Sequence, residues 1–445
     1  MHSKILTFAL ASLAALPLAA AEPWTLQQCV DYAMDHNIQL KRQVVAAEVA
    51  QEDVNSAKAQ LFPSLSFATN HNVSWRPWSE NFVNVENGTM TSTSSETNYN
   101  GTYGISAQWT VWNGGRNRKQ LQKSRVAKEQ ADLEQQVTAA TIQEQIAQYY
   151  VQILYQTEAV KVNEQILQST LIQLARAEEM YAVGAMSKAD LAQMQAQAGQ
   201  DKYNVVNAST MLDRYKLQLK QILEIADSEP MEVAIPDIAD SDVAAPLPSR
   251  TDAYRAALSS RPEIMSGQAA VKASDLDISI AKRGYLPSLS MMAGINTSNS
   301  SGIGDSWTNQ WKHNLSNSIG LTLSVPIFDN RQNKTNVAKA RLAKETSQLS
   351  LDQAEMDLFN DIESFWLNAY NAQRQFAAAT ENVKAMQQSY ELVSEQFSLG
   401  LKDIVDLTTG KNNLIQAEQQ MLQSKYTALL NMALLRFYGG NPLTL

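Results

Sequence analysis

Four histidines (His2, His36, His71 and His313) and one cysteine (Cys29) are all that this chain offers for imidazole or thiolate chemistry. A zinc centre gathers such ligands at close, regular spacings, and a nucleophilic triad needs a histidine held beside a serine or cysteine. None of the four is so placed, and no phosphate-cradling glycine loop occurs, so no enzyme, metal centre or cofactor is expected. A single cysteine also excludes a disulfide framework. What remains is charge: 36 Lys and Arg against 45 Asp and Glu give a net −9. That balance argues against nucleic acid or anionic lipid as a partner.

The elements that must position those charges are marked by their breakers. Glycine (17) and proline (12) make 29 of 445 residues, about half of average usage. No proline falls between Pro77 and Pro230 or between Pro326 and Pro442. Between Gly115 and Gly184, and from Asp329 to Leu399, there is neither glycine nor proline, and both stretches are rich in Ala, Gln, Glu, Lys and Leu, which are strong helix formers. Ile142, Ile146, Tyr149, Tyr150, Ile153 and Leu154 form one helical stripe, and Ile362, Phe365, Trp366, Ala369, Tyr370 and Phe376 another. Helices of that size are on the order of 100 Å long, a coiled-coil dimension rather than a globular one.

Four other runs alternate with a period of two. Leu65, Phe67, Val73 and Trp75 oppose Ser64, Ser66, Asn70, Asn72 and Ser74, and Tyr99, Tyr103, Ile105, Ala107, Trp109 and Val111 oppose Ser106, Gln108 and Thr110. Leu289, Met291, Ala293 and Ile295 repeat the pattern, as do Ile319, Leu321, Leu323, Val325 and Ile327. None of the runs carries Asp, Glu, Lys or Arg. Such strands suit a transmembrane β-barrel, although a soluble sandwich alternates in the same way. Six of the eight tryptophans (Trp75, Trp78, Trp109, Trp112, Trp307 and Trp311) lie at the strand ends or in the loops between them, as interfacial girdles would require.

At the N-terminus, His2 and Lys4 precede an apolar run from Ile5 to Leu16 and the small residues Ala19, Ala20 and Ala21. Residues 1–21 therefore read as a cleaved secretory signal; the alternative is an uncleaved anchor. Cys29 lies too far past the small-residue site to be a lipid-bearing terminus. No later stretch approaches 18 apolar residues, so no helical span is expected.

The whole pattern occurs twice. Leu61 to Ser66 match Tyr285 to Ser290 at an offset of 224, whereas Trp112, Leu133, Gly184 and Asp190 match Phe328, Leu349, Gly400 and Asp406 at an offset of 216. Such long registers mark an internal repeat. The first repeat, 22–226, holds a hairpin (64–112), a long helix (115–183) and a second helix (187–224). An irregular linker with one short strand near Met231 to Ile235 fills 227–250. The second repeat, 251–445, holds a helix (262–285), a hairpin (288–328), a long helix (329–399) and a final helix (403–438). Pro63 and Pro287 end the incoming helices, and Asn113 and Asp329 offer N-caps to the long ones. Four antiparallel strands cannot close a membrane barrel, so two or three copies must share one.

The duplicated hairpin entry, the hairpin exits Val111 to Arg116 and Pro326 to Arg331, and the turns Tyr181 to Leu191 and Phe397 to Leu407 resemble the TolC family of outer-membrane efflux and secretion channels, over essentially all of the mature chain. The resemblance implies a mostly α fold with membrane β. Three copies would form a 12-stranded transmembrane barrel continued by a periplasmic α-helical barrel, in the outer membrane of a Gram-negative bacterium. It also implies a periplasmic adaptor and an inner-membrane pump of RND or ABC type as partners, and no cofactor. The other class of function left open is a non-conducting coiled-coil protein or adhesin of the envelope.

The resemblance places the adaptor-docking tip at Val183, Gly184, Ala185, Leu399, Gly400 and Leu401, and a gate at Asp190, Phe397, Lys402 and Asp406. Phe397 lacks the hydroxyl of the tyrosine common there, and Thr409 replaces a second aspartate. Three symmetry-related Asp406 carboxylates would attract cations, and Lys402 near Asp190 would tie helices together through a weak exposed ion pair. The cargo is not readable from the residues.

Overall fold

The structure, a computed structural model, describes residues 23–77, 82–86, 89–93, 97–226, 231–301 and 303–445. The signal expected over 1–21, Trp78 and part of the linker lie outside the described residues. In chain order the elements are α1 (Leu26–His36), α2 (Ile38–Ala59), β1 (Ser64–Trp75), β2 (Phe82–Glu86), β3 (Thr89–Thr93), β4 (Thr97–Trp112), α3 (Arg116–Ala182), α4 (Lys188–Leu223), α5 (Asp240–Val243), α6 (Arg250–Ser260), α7 (Pro262–Lys282), β5 (Ser288–Ser300), α8 (Trp307–His313), β6 (Ser316–Ser324), α9 (Gln332–Ser398) and α10 (Ile404–Tyr438). The two long helices are 67 residues each, as the absence of breakers requires.

Some boundaries differ from the sequence reading. The helix expected over 262–285 stops at Lys282, and Arg283–Tyr285 tighten into a 3₁₀ turn before Pro287. The loop between β1 and β4 carries its own hairpin, β2–β3, and the loop between β5 and β6 carries α8. The strand expected near Met231 to Ile235 is a single bridge from Val233 to Trp24, because only Trp24 lies alongside to accept and donate the ladder bonds.

The chain divides into two compact units. The first comprises residues 40–138 and 258–359 and is built on a four-stranded antiparallel sheet of order β1-β4-β5-β6. Opposed residues share a face, so Phe67, Ile105 and Ile295 line up with Leu65, Ala107, Ala293 and Ile319. That face is apolar and exposed: Leu65, Phe67, Ile319, Leu321 and Leu323 have no cover. The opposite face is mostly Ser, Thr, Asn, Gln and Gly, with Ala68 and Met292 among them. At the far end of the apolar face Tyr99 stacks on Trp307, Tyr103 meets Trp311 edge-on, and His71 Nδ1 lies 2.6 Å from the Tyr99 hydroxyl.

The helix–strand junctions of this unit repeat two hydrogen bonds. Asn113 accepts the backbone N–H of Asn117 at 3.2 Å, and Asn117 donates to the Gln60 carbonyl at 3.1 Å. In the second repeat Asp329 accepts the N–H of Asn333 at 2.8 Å, and Asn333 donates to the Gly284 carbonyl at 2.9 Å. The expected caps are therefore present, and each is braced by an asparagine that ties the new helix to the old one.

The second unit comprises residues up to 39, 139–257 and 360–445. Its core is an aliphatic seam of Ile146, Ile153, Leu154, Leu219, Leu223, Leu434 and Leu435, all buried. Cys29 is buried in α1, and desolvation pushes its thiol up to about 12. The same unit holds both turns singled out from the sequence.

Candidate functional site

α3 and α9 end in the same way. Ala185 N–H bonds the Met180 carbonyl at 2.8 Å and Gly184 N–H bonds Tyr181 at 3.0 Å; Leu401 N–H bonds Gln396 at 2.9 Å and Gly400 N–H bonds Phe397 at 3.0 Å. Each is a six-to-one bond enclosing a five-to-two bond, the glycine-closed helix end. Gly184 and Gly400 sit at φ +75° and +72°, a conformation that a Cβ disfavours. Val183, Leu399 and Leu401 are exposed at the turns, as is Ala185.

The returning helices start alike. Ser187 caps α4 by accepting the N–H of Asp190 at 3.1 Å, and its hydroxyl donates to the Asp190 carboxylate at 2.7 Å. Asp403 caps α10 by accepting the N–H of Asp406 at 2.9 Å. Asp190 and Asp406 thus occupy matching first-turn positions, where a carboxylate opposes the positive end of the helix dipole. Within one copy, Lys402 does not meet Asp190. Lys402 reaches Asp406 instead, at 2.8 Å, because both lie on one helix entry one turn apart. Asp406 and Asp403 raise the Lys402 ammonium above its usual value.

Phe397 joins neither charge. It packs with Met186, Leu191 and Leu174 against the buried Ala177, Met194 and Ile404, so the missing hydroxyl costs nothing in an apolar cluster. Met186 and Met194 serve as packing in this cluster. Arg176 donates to the Ser398 carbonyl at 3.5 Å and Gln173 to the Tyr390 hydroxyl at 2.9 Å, which tie α3 to α9 just above the turns.

One group of residues was not singled out in advance. Asp201 on α4 and Lys411 on α10 form an ion pair of 2.6 Å with both side chains buried. The Thr170 hydroxyl on α3 donates to the same carboxylate oxygen at 2.6 Å and accepts from Lys411 at 3.0 Å. Gln197 donates to the other oxygen at 2.8 Å. Burial pushes the Lys411 ammonium down, and Asp201 opposes that shift. A signal did exist: Asp201 interrupts the stripe Met194, Ala198, Val205, Ala208, and Lys411 the stripe Ile404, Leu407, Leu414. Two opposite charges on apolar stripes ask for each other.

A family model described as outer membrane efflux protein matches residues 30–223 and 253–441, one segment per repeat. The chain is 21% identical over 423 residues to outer membrane protein TolC of Salmonella enteritidis, spanning 93% of this chain and 82% of that one. It is 22% identical over 347 residues to the alkaline protease secretion protein AprF of Pseudomonas aeruginosa, spanning 70% and 71%. Among solved structures, CusC shares the fold with a TM-score of 0.79 at 16% identity, over 94% of this chain and 92% of that one.

Proposed function

The chain is an outer-membrane efflux protein of the TolC family, and from that premise we propose that three copies close one 12-stranded barrel that serves as the exit duct of a tripartite export system. The observation that carries this reading is the sheet of the first unit: four strands, charge-free, apolar and exposed on one face, with β1 and β6 unpaired at its edges. In lipid those edges require strands from another copy.

The internal repeat supports how the copies meet. Within one copy, β4 of the first repeat pairs with β5 of the second. Applying the offsets of 216 and 224 to that ladder puts β6 of one copy on β1 of the next, with Ile319 opposite Val73 and Leu323 opposite Thr69. The helices agree. Ala269 on α7 and Val126 on α3 are each 5% exposed, whereas their repeat equivalents Val45 on α2 and Leu342 on α9 are 56% and 63% exposed. Positions covered inside one copy are thus bare where a neighbour would supply the cover.

The turns around Gly184 and Gly400 form the periplasmic tip. The exposed Val183, Leu399 and Leu401 offer apolar knobs for an adaptor, which joins the duct to an inner-membrane pump of RND or ABC type. Asp190, Phe397, Lys402 and Asp406 gate the entrance through the caps, the apolar cluster and the exposed pair described above. Exposed pairs are worth about 0–1 kcal/mol, so a docking partner can displace them. One relative is named as a protease secretion protein, and the uncharged face of the sheet fits cargo of more than one kind.

Single-channel recording in planar bilayers, with the mass of the detergent-solubilised assembly, tests the reading. A trimer that conducts ions supports it; a monomer, or an assembly without conductance, would leave a structural envelope protein.

A further inference from the structure

The buried cluster at Asp201 lies on only one of two equivalent seams. At the repeat offset of 216, Thr170, Asp201 and Lys411 correspond to Met386, Ala417 and Gln195, none of them charged. The charged set joins α3 and α4 to α10 of the same copy. Its uncharged equivalent would join α9 and α10 to α4 of the next copy. The two seams of the entrance are therefore built of different chemistry.

We propose that Asp201 and Lys411 are positioning residues that clasp α10 to α3 and α4 as a fixed pivot, so that the entrance opens along the seam between copies and on the tip side of the clasp. The inference rests on the trimeric, gated reading given above. Thr170 stands 14 residues before Gly184, Asp201 17 after it and Lys411 11 after Gly400, or roughly 17–25 Å along the helices from the turns.

Three features favour a pivot. Parting a buried ion pair strands a charge away from water, which is far more costly than parting an exposed one. Both Asp201 oxygens and the Lys411 ammonium are bonded by protein groups from three helices, so the cluster has little to gain from moving. Nearer the tip, among the described residues, the bonds crossing from α3 to α9 include Arg176 to Ser398 and Gln173 to Tyr390, neither of them a pair of opposite charges. Opening by displacement of those bonds leaves the clasp intact.

Covalent locking tests this in the assembled protein, with Cys29→Ala to remove the native thiol. Asp201→Cys with Lys411→Cys, bridged by a bis-maleimide, is expected to leave the conductance of the opened channel the same as that of the unbridged protein. Gln195→Cys with Ala417→Cys, bridged between copies, is expected to abolish opening. A bridged 201–411 pair that closes the channel overturns the proposal. If even the unbridged protein never conducts, the channel reading fails, and hydrogen exchange decides the clasp alone. In Lys411→Met the α10 amides flanking position 411 should exchange at least about tenfold faster than in the native protein. Unchanged exchange there overturns the clasp, and Thr170→Val, which keeps both charges, provides the same reading at smaller amplitude if Lys411→Met does not assemble.

Discussion

Lys402 pairs with Asp406, four residues further on, at 2.8 Å, and leaves Asp190 to the hydroxyl of Ser187. The acidic position of the second turn therefore comes with its own counter-charge, whereas that of the first turn has a neutral cap.

If these residues gate the entrance as proposed, this pairing sets its cation sensitivity. With Lys402 beside it, Asp406 offers less charge to a multivalent blocker than a bare carboxylate would. Lys402→Met should strengthen block by a multivalent cation applied from the periplasmic side by about fivefold, the effect of one unit charge at about 4 Å in water. Asp406→Ala should weaken it. Titration of single-channel block measures both, and an unchanged block in Asp406→Ala would remove that residue from the gate.

The same pair fixes a pH dependence. The Lys402 ammonium is held above its ordinary value of 10.5 by its hydrogen bond to Asp406 and by the charge of that carboxylate. A raised lysine contributes its stabilisation fully below the ordinary value and loses it only as pH climbs through the higher one. Lys402 should therefore introduce no step in open probability between neutral pH and 10.5, and a rise only beyond it. A step near neutral pH that disappears in Lys402→Met would contradict the assignment.

Gly184 and Gly400 separate a conformational role from a docking role. A Cβ added at either meets no atom within 4 Å, so the cost of alanine comes from φ alone. Gly184→Ala and Gly400→Ala should each cost about 1–2 kcal/mol locally and leave the trimer intact in thermal melts. Gly400→Asp should also leave the trimer but stop export by placing a charge among Leu399 and Leu401. Loss of the trimer in the aspartate variant would show that the turn serves only to close the helix.

The register between copies is open to direct measurement. In a Cys29→Ala background, Thr69→Cys with Leu323→Cys should cross-link copies into a covalent three-rung ladder on denaturing gels. Thr69→Cys with Ile319→Cys, four residues out of register and about 13 Å along the strand, should not. The reverse result would reject the repeat-derived pairing.

At the junction between β4 and α3, Gly114 has φ +68° and an added Cβ would fall 2.8 Å from the Leu286 Cβ. Gly114→Ala should cost about 2–4 kcal/mol, from backbone strain together with overpacking. A chemical denaturation series can compare it with Gly115→Ala, which shares the positive φ but meets nothing within 4 Å.

The sequence by itself determined what depends on neighbours along the chain. Unbroken runs between Gly115 and Gly184 and between Asp329 and Leu399 had to be helices, alternation had to make strands, and the glycines had to close the helices, because period, breaker and φ are local properties. The repeat determined the order of the elements and even the register expected between copies. Tertiary structure decided which side chain meets which. Lys402 was placed near Asp190 from a family pattern, yet its reach along one helix turn favours Asp406. Asp201 and Lys411 were visible as charges on apolar stripes, but they are 210 residues apart, and only the adjacency of α3, α4 and α10 brings them within bonding distance. Asn117 and Asn333 looked like ordinary helix polar residues until the fold put the carbonyls of Gln60 and Gly284 opposite them. A buried charge or amide takes its meaning from the partner that replaces water, and a one-dimensional pattern records the need for that partner without its identity.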